Sequence, residues 1–159
     1  MSLVLKLQPL EAAAFAPFGQ VLEHREGDHP RRNYAADLFS NRAGAVPNLR
    51  VQRTEPISLP LIATKIERHR HSSQMFAPIS GGSFLVVVFP SDREGQPILD
   101  RGRAFAANGN QAINYNHDTW HHPFVAINGP GTFLMLRWED GTADDEEWLS
   151  LPHPIRIDT

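Results

Sequence analysis

Cysteine is absent from all 159 residues, so neither a disulfide framework nor a thiolate-ligated metal can hold this chain together. Long apolar runs are missing too. The longest strong one, "SFLVVVF" from Ser83 to Phe89, falls far short of the roughly eighteen residues that a membrane-spanning helix needs. The opening "MSLVLKLQPLEAAAF" has neither the basic start nor the apolar core of a secretory signal, and a cytoplasmic protein is expected. There is no strong excess of charge: 15 Lys and Arg stand against 18 Asp and Glu, dispersed, for a net −3. Without a basic patch, neither nucleic acid nor an anionic membrane is the expected partner. Uninterrupted helix-length stretches are also scarce, because 13 prolines and 11 glycines cut the chain into short segments, and short segments suit strands.

What is present reads as strands. "LVLKLQ" (3–8) alternates apolar and polar residues. "PLEAAAFAPFG" opens on Pro9, favours a short helix through its alanines, and is stopped by Pro17 and Gly19. Residues 24–34 are polar and punctuated, a loop. "NLRVQRTEPISLP", "LIATKIERH", "SQMFAPI" and "GGSFLVVVF" predict four strands, the last buried on both faces. Asn108-Gly109 predicts a hairpin turn between "RAFAA" and "NQAINY". "WHHPFVAIN" and "GTFLMLRW" predict two more strands joined by "GPG"; "EDGTADDEEW" reads as a solvated acidic run, and "PIRI" as a short edge strand. About ten short strands and one helix predict an all-β sandwich or barrel of the jelly-roll kind, one domain over residues 1–159.

The densest chemistry lies in "ERHRHSSQMFAPISGG", Glu67 to Gly82. Residues two apart on a strand share a face, so Lys65, Glu67, His69 and His71 point the same way. The first motif of the cupin superfamily is written G-x5-H-x-H-x3,4-E-x6-G. With Glu67 and His69 in its two histidine places, Gln74 falls on the glutamate place and Gly81 on the closing glycine. The second motif needs one more histidine from a distant strand. In "GNQAINYNHDTWHH", His121 takes that place, one residue further from Gly109 than the usual pattern. His122 then faces the other side. Imidazole nitrogens with carboxylate and amide oxygens suit a divalent transition metal, nickel, manganese or zinc. The expected ligand set is Glu67, His69, Gln74 and His121. Against this stands a plain alternative: satisfied strand histidines, a surface pair at Glu67 and Arg68, and Trp120 as core packing.

The same stretches, taken together, resemble the ureidoglycolate lyase family. The residues that carry the resemblance are "ERHRHSSQMFAPI", "FLVVV", the "NG", "NQ" and "INYN" of the next segment, "WHHPF", and the opening "PLEAAAFAPFGQVL". They span residues 7 to about 138. Departures are Arg70 and His71 in the place of a proline and a small residue, Ala112 in the place of a glycine, and Arg137-Trp138. The resemblance implies a single cupin barrel, a homodimer, and a substrate, ureidoglycolate, handled in purine (allantoin) catabolism.

Ureidoglycolate bears a hydroxyl, a carboxylate and a urea nitrogen on one carbon. Its elimination to glyoxylate and urea needs a base for the hydroxyl and an acid for the leaving nitrogen. The resemblance places the catalytic groups at Glu67, His69, His121 and His122. Substrate-binding groups are expected at Lys65, Arg68, Gln74, Tyr115 and Trp120; an arginine or Lys65 would clamp the carboxylate, Lys65 being favoured because it shares the face of Glu67. Whether a metal acidifies the hydroxyl, or Glu67 or a histidine takes its proton directly, stays open in the sequence. Two other readings remain: a non-catalytic cupin that binds a small acid or sugar, and a different metal-dependent cupin enzyme. The second would ordinarily show a fuller histidine set than Glu67 and Gln74 leave.

Overall fold

A computed structural model describes residues 3–159. In chain order the strands are β1 Val4–Pro9, β2 Gly19–Leu22, β3 Val46–Thr54, β4 Leu61–His69, β5 Gln74–Phe89, β6 Arg103–Ala107, β7 Ala112–Tyr115, β8 Trp120–His121, β9 Val125–Glu139 and β10 Glu146–Asp158. One short helix, α1 Ala12–Phe15, follows β1. The all-β architecture with an N-terminal helix is therefore present, and its strands are longer than the prolines and glycines suggest.

Two pairs of expected strands are in fact single. "SQMFAPI" and "GGSFLVVVF" run together as β5, and "FVAIN" continues through "GPG" into "GTFLMLRW" as β9. The two bend together: their ladder shifts register at Pro78/Ser80 and at Gly81/Ser83, so the glycines mark bulges rather than strand ends. The hairpin expected at Asn108-Gly109 does not form. β6 and β7 both lie along β5, at Phe84–Val88 and Gln74–Phe76 respectively, and not along each other. The acidic run "EDGTADDEEW" is not solvated throughout: its last residues start β10, which lies inside the sheet between β1 and β4.

Six strands close on themselves in the order β5-β6-β1-β10-β4-β8, with β8 returning to β5 through Val88↔His121 and Phe89↔Trp120. This closed barrel holds one apolar core, including Leu5, Ile66, Val87, Phe89, Trp120 and Ile157. The first half of β5, with β7, β2, β9 and β3, forms a second sheet over another core that includes Phe15, Phe76, Val88, Tyr115, Phe133 and Met135. All of Phe84–Phe89 is buried, because alternate residues of β5 face the two cores. That arrangement creates a hollow between the outer side of the barrel and the second sheet.

Candidate active site

Strand register assembles the site. On β4, Ile66 belongs to the barrel core, so Glu67 and His69 alternate to the opposite side. On β8, Trp120 enters the barrel core and His121 takes the same side as Glu67, its direct cross-strand partner. Gln74 opens β5 opposite Tyr115 of β7. The four residues thus line the hollow beside the closed barrel. They do not project into the barrel core, which Ile66 and Trp120 fill.

Ligand-type atoms of Glu67, His69 and His121 all lie within 4.8 Å of one another, and all three residues are buried. His121 Nε2 is 3.6 Å from Glu67 Oε1. The two imidazole rings are 5.8 Å apart between centroids, and Tyr115 stacks on His121 at 4.2 Å. His121 Nδ1 lies 2.8 Å from the Thr119 carbonyl oxygen, which fixes the proton on Nδ1 and turns the Nε2 lone pair toward Glu67.

Three atoms bear directly on whether the residues fit a metal. His69 Nε2, Gln74 Oε1 and His121 Nε2 are buried with no hydrogen-bond partner among the described residues; His69 Nδ1 makes no hydrogen bond either, but stands 3.4 Å from Asp145 Oδ2. Buried polar atoms normally find partners, and a cluster that offers two imidazoles, a carboxylate and an amide oxygen suits a divalent transition ion. The residues fit the group.

Burial also tunes the protons. It pushes the Glu67 carboxyl up, partly opposed by His69. It pushes His121 down to about 3, with His69 adding to the depression and the Thr119 carbonyl opposing it. Tyr115 is pushed up by burial and by Glu67. Asp145 goes the other way. Burial tends to raise it, but His69, the Ser72 hydroxyl and the His71 backbone N–H together hold it at about 2.

A cavity of about 270 Å³ opens onto the cluster. Glu67 and Gln74 line it together with Arg50, Gln52, Arg137 and Trp148. Lys65 shares the face of Glu67 but is exposed at the rim, its Nζ 4.4 Å over the Trp148 ring. Among the described residues no ion pair links it to a carboxylate. Arg137, by contrast, is held by Glu139 at 2.7 Å and Glu146 at 3.0 Å.

Some expected site residues stand elsewhere. Arg68 turns to the opposite side of β4, where it meets Glu147 at 2.8 Å and Asp118 at 3.0 Å and lies 4.5 Å over Trp120. Trp120 itself packs in the barrel core and donates to the Gly95 carbonyl. Neither faces the hollow, because each neighbours a site residue in sequence and therefore alternates away from it. His122 holds the Pro123 carbonyl oxygen at 2.8 Å through Nδ1 and is not part of the cluster. His71 lies beyond the end of β4 and pairs with Asn41.

Residues unmarked in the sequence also matter here. Asp145 lies behind His69, Nδ1 to Oδ2 3.4 Å, and Arg50, Gln52 and Trp148 wall the cavity. Asp145 is one of six acids in "EDGTADDEEW", and nothing in that run singles it out.

The chain is similar to known proteins over nearly its whole length. A family model described as ureidoglycolate lyase matches residues 2–158. The ureidoglycolate lyase of Pseudomonas fluorescens Pf-5 is 34% identical over 166 residues, covering 94% of this chain and 98% of that protein. That of Rhizobium etli is 36% identical over 161 residues, covering 96% and 95%. A solved dTDP sugar isomerase from Desulfovibrio desulfuricans G20 has a similar fold, with a TM-score of 0.51 over 86% of this chain and 87% of that one. At 14% identity, that likeness concerns the fold alone.

Proposed function

This chain belongs to the ureidoglycolate lyase family, and from that premise we propose that it cleaves ureidoglycolate to glyoxylate and urea. It would do so as a cytoplasmic carbon–nitrogen lyase of the amidine-lyase class, in purine (allantoin) catabolism. The observation that supports the reading is the buried cluster of Glu67, His69 and His121, set beside a small cavity that Glu67 and Gln74 line.

The reaction moves one proton from the hydroxyl oxygen to the leaving nitrogen while the C=O bond forms and the C–N bond breaks. No water is consumed. A single carboxylate can carry that proton, and Glu67 is suited to it because burial raises its affinity for protons. Gln74 offers an amide to the ureido group, and the Tyr115 ring holds His121 in place. Lys65 at the rim is the cation left uncommitted to a carboxylate, and it meets the substrate carboxylate. Glu67, His69, Gln74 and His121 would hold a divalent ion such as nickel, manganese or zinc. Such an ion supplies Lewis-acid polarisation of the substrate oxygens. A carboxylate has two oxygens, so Glu67 can offer one to an ion and keep the other for the proton.

Racemic ureidoglycolate tests the reading. Equal amounts of urea and glyoxylate should appear, and loss with chelator followed by recovery with one of the three metals would establish the ion. Ammonia in place of urea, or no product above the buffer blank, would refute the lyase assignment.

The assembly we propose is a homodimer, formed through the outer face of the second sheet. There Leu49, Leu136 and Met75 stand in one cross-strand row, and Val51, Leu134 and Ala77 in the next. Leu49 and Val51 are 64% and 62% exposed. A contiguous exposed apolar row of this kind suits an interface.

A further inference from the structure

The fit of His69 to the site depends on which ring nitrogen carries its proton, and the structure assigns that choice to Asp145. We propose that Asp145 is a positioning residue: its carboxylate accepts the Nδ1–H of His69, and the Nε2 lone pair is thereby presented to the Glu67–His121 cluster. This rests on the reading of that cluster as the reaction centre, but it concerns a residue outside it.

Asp145 is buried at 5% exposure. Its Oδ2 lies 3.4 Å from His69 Nδ1. The same oxygen accepts the Ser72 hydroxyl at 2.5 Å, and Oδ1 accepts the His71 backbone N–H at 2.7 Å. Its own carbonyl accepts the Arg70 N–H at 2.8 Å. Arg42 Nη2 stands 3.7 Å from Oδ2, while the same guanidinium reaches Asp140 at 2.7 Å and the Trp138 carbonyl at 2.9 Å. The carboxylate is therefore fixed from several sides by groups that are not site residues. A buried carboxylate fixed 3.4 Å from one ring nitrogen, within hydrogen-bond reach after a small shift of the ring, favours the proton there and leaves the other nitrogen for the cluster.

The two histidines then use one logic with different anchors. His121 is held through Nδ1 by the Thr119 carbonyl, and the Nδ1 of His69 faces the Asp145 carboxylate at 3.4 Å. A carboxylate behind an imidazole makes its far nitrogen a stronger donor than a carbonyl does, and loss of such a partner typically lowers metal affinity about 10–100-fold. Arg42, bound at once to Asp140 and Asp145, ties this anchor to the loop ahead of β10.

The test needs neither substrate nor turnover. Long-range ¹H–¹⁵N correlation spectra of histidine-labelled, metal-free wild-type protein should show His69 protonated on Nδ1. Asp145→Asn should shift His69 toward a tautomer mixture and weaken Co²⁺ binding, followed by visible absorbance, about 10–100-fold. Ser72→Ala, which leaves the carboxylate, should change Co²⁺ affinity less than Asp145→Asn does. A wild-type His69 protonated on Nε2 overturns the proposal without any variant, so poor folding of Asp145→Asn cannot shelter it. Unchanged tautomer and Co²⁺ affinity in a folded Asp145→Asn overturn it equally. Failure of the lyase assay with an intact Nδ1–H tautomer would count against the proposed reaction and not against Asp145.

Discussion

At the scale of single residues, the adjacent histidines show how one step along a strand separates chemistry from support. His121 turns its Nε2 to Glu67 at 3.6 Å, while His122 is occupied with the Pro123 carbonyl. Both are pushed down by burial, His121 to about 3, so both are neutral near pH 7 and His121 is ready to act through a lone pair. His121→Ala should therefore lower kcat/KM by more than the about 10–100-fold that loss of a ligand's supporting partner costs, and His122→Ala by much less. Separate steady-state kinetics of the two variants check this. Equal small losses would remove His121 from the site, and a larger loss at His122 would show that the register of the strand end is the reverse. Arg68 repeats the lesson from the other side of Glu67: it carries the right charge for a carboxylate, yet it faces Trp120 and Glu147.

At the scale of elements, β3 is two-sided in use. Its inner face supplies Arg50 and Gln52 to the cavity wall, and its outer face presents Leu49 and Val51 to solvent. β3 pairs with β9 along one edge, from Val46↔Glu139 to Thr54↔Gly131, and its apolar side chains can be covered only by another body. In a closed two-fold dimer the same patch meets itself. Leu49→Glu with Val51→Glu should turn a dimer into a monomer in light scattering after size exclusion. Because β3 also walls the cavity, KM should rise more than kcat falls. A wild-type chain that runs as a monomer at tens of micromolar would defeat this interface. The bend of β5 and β9 also depends on single residues: Gly81 has φ +69°, and a Cβ there would stand 2.7 Å from the Pro130 carbonyl oxygen. Gly81 thus shapes the ladder that carries Gln74 at its start, which is a packing role and not a ligand role.

At the scale of the whole molecule, the site imposes a pH dependence on the fold. His121 binds a proton only near pH 3 when folded, against about 6.5 for an unfolded histidine. The unfolded state therefore binds more protons between those values, and stability falls as pH drops from about 6.5 toward 3. His122 acts in the same direction. Asp145, at about 2 folded, adds stability above its ordinary carboxylate range that is lost as pH falls from about 4 to about 2. Glu67 opposes in part, since its raised value favours the folded state at low pH and that gain is lost as pH rises through it. Urea unfolding in EDTA should show a midpoint that declines already between pH 7 and pH 5, with a limiting slope near 1.4 kcal/mol per pH unit for each histidine. His121→Asn should flatten that decline. An unchanged slope in the variant would place the source of acid lability elsewhere.

The sequence by itself determined what depends on local pattern. Alternation along "LIATKIERH" put Glu67 and His69 on one face, and frequent prolines and glycines announced a β protein with one short helix. The spacing of "ERHRHSSQ" and "WHHP" pointed to Glu67, His69 and His121, whose ligand-type atoms lie within 4.8 Å of one another in the fold, and to Gln74, which lines the adjoining cavity with Glu67. What only the tertiary structure decided depends on pairing between distant segments, which no local pattern encodes. The glycines at 81 and 82 could end a strand or bend it, and the ladder to β9 made them bends. β6 and β7 could pair through Asn108-Gly109, but each pairs along β5 instead. The hollow that holds the site arises because both faces of β5 are buried, so the polar cluster lies beside the closed barrel and not within it. Asp145 came from an acidic run that reads as solvated; β10 carried it behind His69 because its strand pairs with β4 at Glu146↔His69, a contact between segments more than seventy residues apart.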